Sequence, residues 1–383
     1  MRIEIPKRLL LVSAMLLTGG VATAEEAETE STFDAADVGY SGVLPENIGR
    51  ARLVNTNMNV TTAYDSDGVE STNLAALDVA VNSLVYEHGI TEKLSVGVII
   101  PQASFKFTTA SSAVISNYVT NALIAGGVPA AAIGSSSATG GLCPGVDDAT
   151  LSALGGATWA VCQAALESGA KTQADAAKGA SGIADIELGA KYNVMGKDDG
   201  NFRYAVGGGL RVATGDAQCG ESKCPGKGFN DIELHSFADY KPIDGVNLSN
   251  SIKLKQALND AKLKGAGGAE STVARDMDST IALGAGVGMG PFVSILAPVG
   301  FDLTYEIANA GARSTTAAGS STAVKGDAGS QTTMGMGMSF SGLGLENKLP
   351  LTFTASSWSV QSAVNSAGAI NKTEIQLQSF VKF

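Results

Sequence analysis

Two histidines, four cysteines and two tryptophans are all that the 383 residues hold of those types, and only one apolar run is long. Each scarcity excludes something. With only His88 and His235 and no C-x-x-C, the chain lacks soft donors at ligand spacing, so no metal site is expected. A serine hydrolase would need a histidine beside a nucleophile and a polar orienter; one histidine in a turn and one on a strand do not supply that, and no enzyme is expected. No phosphate-cradling glycine loop or covalent attachment motif occurs, so no cofactor is expected. The formal charge is −11, and Arg2, Lys7, Arg8 and Glu4 contribute +2 of it, which leaves −13 beyond residue 24. Such a surface repels phosphate backbones, so nucleic acid is not a partner. Beyond Leu17 no long apolar stretch follows, and membrane-spanning helices are excluded.

What is present begins with Arg2, Lys7 and Arg8, then Leu9 to Leu17, then Ala22-Thr23-Ala24. This is the pattern of a secretory signal peptide over residues 1–24, too short in its apolar core to span a bilayer. An exported chain with an even number of cysteines predicts two disulfides among Cys143, Cys162, Cys219 and Cys224. Three pairings are possible, and proximity in sequence favours Cys143 with Cys162 and Cys219 with Cys224.

Period-two alternation then recurs along the chain. Strands are predicted near 50–64, 72–87, 93–107, 182–194, 201–213, 229–241, 246–258, 275–289, 292–306, 331–341, 349–361 and 372–383. About twelve strands is an even count, as bacterial outer-membrane barrels require. The connections alternate: short turns such as Gly89 to Glu92, Gly196 to Gly200, Pro242 to Gly245 and Gly290-Pro291 alternate with generally longer links, including 108–181, 214–228, 259–274 and 307–330. Periplasmic turns and extracellular loops sort in this way. The expected fold is therefore all-β, a transmembrane antiparallel up-and-down barrel, located in the outer membrane of a Gram-negative bacterium and bathed in its lipid.

The faces agree. Val206, Leu210 and Val212 oppose Arg203, Gly207, Gly209 and Arg211, and Leu94, Val96, Val98 and Ile100 oppose Lys93, Ser95 and Gly97. Tyr64, Tyr86, Tyr192, Tyr204, Tyr240, Tyr305 and Trp358 fall mostly near strand ends, where interfacial girdles belong. Asp185, Glu187, Lys191, Arg203, Arg211, Asp231, Glu233, His235, Lys253, Lys255, Asp276 and Asp278 take the opposite parity and are predicted to line the lumen. Acidic and basic strands largely alternate among them, which suits either a ladder of cross-strand ion pairs or a polar constriction that screens solutes.

Two segments fall outside the strands. Residues 108–181 carry apolar side chains at helical spacing, from Val114 to Leu123 and from Leu151 to Leu166, and are expected to form a partly helical extracellular insertion over the pore mouth. Residues 25–49 begin acidic and end in Val38, Tyr40, Val43 and Leu44, a periplasmic leader or a plug, with the barrel over 50–383. At the far end Ile375, Leu377, Val381 and Phe383 share one face, and Gln376, Gln378 and Lys382 the other. This aromatic-ended strand resembles the signal read by the barrel assembly machinery, with Phe383 as the recognised residue.

The text from Tyr86 to Gly97 with Ile100-Pro101, from Asp185 to Tyr192, from Gly207 to Asp216 and from Asn230 to Leu234 resembles a known family in its order. It is the outer-membrane barrel family named for the MetA pathway of phenol degradation, also called simply transporters, and distantly similar to the long-chain fatty-acid transporters. The resemblance covers residues 80–107 and 182–258, while the insertion and both cysteine pairs depart from it. It implies passage of aromatic or other hydrophobic small molecules. The function expected is a channel for passive uptake of such solutes, the alternative being a non-conducting scaffold or adhesin-like barrel. If the cysteines are paired, maleimide labelling of the folded protein without reductant modifies none of the four; labelling of all four removes the disulfides.

Overall fold

The structure, a computed structural model, describes residues 42–64, 70–109, 180–196, 200–215, 226–264, 270–345, 349–365 and 370–382. The signal peptide, residues 25–41 of the leader, all four cysteines, Phe383 and nearly all of the insertion lie outside the described residues.

Alternating side chains produce long antiparallel strands joined to their neighbours in sequence. The wall begins with β1 (Ile48–Tyr64), β2 (Glu70–Thr91) and β3 (Leu94–Thr109). Next come β4 (Ala180–Ile183), β5 (Ile186–Met195), β6 (Phe202–Val212), β7 (Asp231–Ile243) and β8 (Val246–Ala257). After them β9 (Ala261–Lys264) and β10 (Glu270–Arg275) stand off the wall, and β11 (Asp278–Gly288) and β12 (Val299–Ala310) rejoin it. A second excursion, β13 (Arg313–Ala317) and β14 (Ala323–Gly326), precedes β15 (Gly329–Ser341), β16 (Leu351–Val364) and β17 (Ile370–Lys382).

The main sheet runs β2-β1-β17-β16-β15-β12-β11-β8-β7-β6-β5-β3-β4, and β2 also pairs with β3, which closes it. Because β4 and β5 are two pieces of one strand beside β3, the closed wall has twelve strand positions among the described residues. Closure removes both edges of the main sheet, so every strand position of the wall has a partner on each side.

Polarity is inverted relative to a soluble protein. Leu53 is 58 % exposed while Arg52 beside it is 4 % exposed, and Ile232 and Leu234 point outward on either side of buried Glu233. The outer apolar set continues through Leu188, Leu210, Leu248, Leu283, Phe301, Leu303, Phe353 and Leu377. A belt of that extent is incompatible with water and suits hydrocarbon.

Three departures from the alternation have local causes. The strand predicted from residue 292 starts only at Val299, because Pro291 and Pro298 bracket a 3-10 turn at Ser294–Leu296 that leaves Ile295 fully outside. The links 259–274 and 307–330 are not loops. They carry β9, β10, β13 and β14, which pair into a separate four-stranded sheet, its ladder divided from that of the wall by bends at Asp276-Met277 and Gly311-Ala312. A side chain on Gly311 would run into the Asp276 carbonyl, so the bend requires glycine there.

At the short-turn end, residues 42–47 fold back against the inner wall. Leu44 and Ile48 form a small buried cluster with Phe380 of β17, the Asn47 N–H donates to the Gly89 carbonyl at 3.0 Å, and Val43 is buried. Gly89 is the position that permits this crossing, since a Cβ would land on the Pro45 carbonyl. Phe380→Ala removes the ring that clasps Leu44 and Ile48, and is expected to cost about 2–4 kcal/mol, read as a lowered urea midpoint in vesicles.

Candidate functional site

Polar side chains of β5–β8 that share the inward parity meet across the sheet in register. Directly opposite residues run Glu187, Arg211, Asp231 in one row and Gly209, Glu233, Lys255, Asp278 in the next. Each acid therefore faces a base, the arrangement that favours cross-strand pairs.

Arg211 is the centre. Its guanidinium lies 3.1 Å from Glu187, 3.3 Å from Asp231 and 3.4 Å from Glu233. Lys255 bridges the same two acids from β8, at 3.3 Å from Asp231 and 2.9 Å from Glu233, while Arg275 of β10 pairs with Asp231 from above. Lys253, at 2.9 Å, and His235, at 3.2 Å, hold the other oxygen of Glu233. Asp278 completes the set, 3.4 Å from Arg275. Asp185 binds backbone instead. Its two oxygens accept from the N–H groups of Gly215 and Lys227 at 3.1 and 2.8 Å, which ties down both ends of the β6–β7 link. Behind it Phe229 packs on Ala261 and Val273, with the Arg275 guanidinium 4.7 Å above its ring.

A second group sits toward the short turns. Arg50 and Arg52 of β1 both grip Glu87 of β2, Arg52 at 2.8 Å. Lys191 donates to the Gly42 carbonyl at 3.1 Å and lies 4.8 Å from the centre of the Phe237 ring. Arg203 is 3.7 Å from Asp239.

Eleven of the twelve polar residues named from the sequence are placed in these two neighbouring groups. Asp276 is not: it is exposed in the break between β10 and β11, and Arg275 takes the inward place. Sequence reasoning also left out Arg50, Arg52, Glu87 and Phe237. The arginine pair was detectable, because two cations spaced by two residues on a predicted strand share a face. Between the groups a cavity of about 100 Å³ opens against β3, β5 and β6, bordered by Glu87, Glu187, Lys191, Glu233, His235 and Phe237.

A sequence model of the family described as "Putative MetA-pathway of phenol degradation" matches residues 144–342, just over half the chain. The chain belongs to this family. The resemblance over residues 182–258 falls inside the match and that over 80–107 outside it. Among solved structures, the COG4313 outer membrane channel from Pseudomonas putida F1 superposes with a TM-score of 0.57 at 12 % identity, covering 90 % of this chain and 98 % of that one. The NanC porin, with a TM-score of 0.38, 6 % identity and coverage of 86 % and 99 %, is a much looser match. So is the CymD monoaromatic hydrocarbon channel, with 0.34, 11 % identity and coverage of 94 % and 93 %. No curated protein matches the sequence. Fold, apolar belt and family agree: this member of the phenol-degradation family is a barrel of the Gram-negative outer membrane.

Removing Arg211 from this member leaves three buried carboxylates short of a cation. Arg211→Met is expected to destabilise the barrel by about 3–5 kcal/mol in urea unfolding from vesicles, and adding Glu187→Gln to recover part of that.

Proposed function

We propose that the protein is a passive channel for small solutes of hydrophobic or aromatic character. The observation that carries this reading is the cavity between the two charged groups: in a barrel of this size inward side chains can fill the interior, yet here a patch of wall is left bare. The inner surface beside it includes an apolar patch, with Val54, Val85 and Ile99 packed together on β1–β3. Kinship supports the reading, since a family named for phenol degradation and a channel of the same fold are its relatives. Flux runs down a gradient in this scheme. A catalytic role gains no support, because His88 stacks on Tyr86 on the outer face while His235 leans on Phe237 inside, so the two histidines do not share a site.

Residues 42–47 act in this scheme as a partial plug at the short-turn mouth, held by the Lys191 and Asn47 hydrogen bonds. The insertion at 108–181, nearly all of it outside the described residues, is expected from its sequence to stand over the other mouth. The rival is a non-conducting scaffold, favoured by the density of ion pairs across β5–β8.

Single-channel recording in planar bilayers separates them. The mature protein is expected to give small steady currents, and variants lacking 42–47 or 108–181 to give larger ones. Silence from all three, with each still migrating as a heat-modifiable barrel, supports the scaffold and removes the channel.

A further inference from the structure

The bare patch has a definite construction. Gly97 of β3, Gly189 of β5 and Gly209 of β6 are directly opposite one another in register, so three adjacent strands present no side chain at one level. Gly207 extends the gap one step down, opposite Lys191. The floor of the cavity is consequently backbone: consecutive stretches Ser95–Ile99, Glu187–Lys191 and Gly207–Leu210 all contribute to it. Strands lie about 4.8 Å apart, so three of them make a nearly flat surface roughly 10 Å wide. Phe237 stands at its lower edge, within contact of where a Gly207 side chain would begin, and Val85 and Ile99 stand at its upper edge.

The charges that border the floor are each already paired. Glu87, at one end of the glycine row, is held by Arg50 and Arg52; Glu233, at the other end, is held by Arg211, Lys253 and Lys255. Glu187 is held by Arg211, and Lys191 is spent on the Gly42 carbonyl and the face of Phe237. An ionic solute has to break one of these pairs to gain a partner, which costs several kcal/mol. A neutral one leaves them intact. The volume of about 100 Å³ is of the order of one small ring; a cavity of roughly 150 Å³ is known to hold benzene.

We infer that the glycine row Gly97, Gly189 and Gly209 is a recognition niche that takes a neutral, flat, single-ring molecule face-on against the backbone, with Phe237 beside it. This rests on the channel reading and names the solute class and the residues that select it. A flat ring can contact all three strands at once, whereas a puckered ring of equal size touches fewer atoms at contact distance.

The wall supplies its own test. A Cβ on Gly189 would meet nothing nearer than the Gly208 carbonyl at 3.5 Å, so Gly189→Leu grows into the niche without displacing the sheet. On the neighbouring strand β6 Val206 points outward, 38 % exposed, and takes no part in the floor, so Val206→Leu is the control on the lipid side. Binding of 4-fluorophenol to purified wild-type protein is followed by fluorine NMR. Saturable binding is expected, weakened about tenfold or more by Gly189→Leu and unchanged by Val206→Leu. In wild type alone, phenol is expected to displace the probe, and cyclohexanol and benzoate to do so about tenfold less well. Equal binding by Gly189→Leu, equal displacement by cyclohexanol or benzoate, or no saturable binding by wild type overturns the niche. Ion conductance by the same preparation shows which reading has failed: currents without probe binding remove the niche and leave the channel, and absence of currents removes the channel.

Discussion

Backbone hydrogen bonding in hydrocarbon governs everything else in this molecule. Lipid offers no donor or acceptor, so each strand has to be flanked by two others, and only a closed sheet does that for all of them. Closure by the β2–β3 ladder fixes an inside and an outside, and alternation along each strand then sends successive residues to one or the other. The apolar belt at Leu53, Leu188, Ile232 and Leu303 is what this geometry asks of the outer parity. Polar residues have nowhere to go but inward.

That confinement explains the form of the inner wall. Charges gathered in a space shielded from bulk water are costly unless each has a partner, and the register provides partners by setting acid opposite base on neighbouring strands. Arg211 serves three carboxylates because Glu187 and Asp231 flank it directly and Glu233 is one step diagonal. On the far wall the partners come from one strand and its neighbour: Lys372 pairs with Glu374 two residues along β17 at 3.2 Å and lies over the ring of Trp358, directly opposite it on β16, at 3.9 Å. Interior polarity in this barrel is a consequence of topology first, and any role in passage is built on that.

Alternation and loop sorting were legible in the sequence, and with them the strand number, the closure and the facing of most side chains. Legibility ended where the period was interrupted. A break at Asp276-Met277 resets the parity, so Arg275 and not Asp276 turns inward; the residue type alone gave no hint of which. Val293 and Ile295 fit an outward pattern and yet lie in a turn, since two prolines on either side stop the strand. Phe380 occupies the polar parity of the last strand, and its partners Leu44 and Ile48 are more than 300 positions away. The glycine row was least visible of all. Gly97 and Gly209 fall on the inward parity in the sequence, but residues 97, 189 and 209 line up only through the pairing register of three strands.

Barrel size makes that row consequential. Eight strands leave an interior that side chains just fill, and sixteen leave an aqueous channel, so at twelve positions the balance is set locally by side-chain volume. Across β6–β8 and β10 the large residues Arg203, Arg211, Lys255 and Arg275 take up the space. Along β1–β3 Val54, Val85 and Ile99 do the same with apolar bulk. Between these blocks the only way to keep an opening without widening the cylinder is to remove side chains at one level, and three glycines in register do so. The opening inherits its character from its neighbours: on the β1–β3 side apolar Val54, Val85 and Ile99 beside the Glu87 ion pairs, and on the other side charges that are paired with one another. A wall built to hold its own charges in balance is for that reason most hospitable to a molecule that brings none.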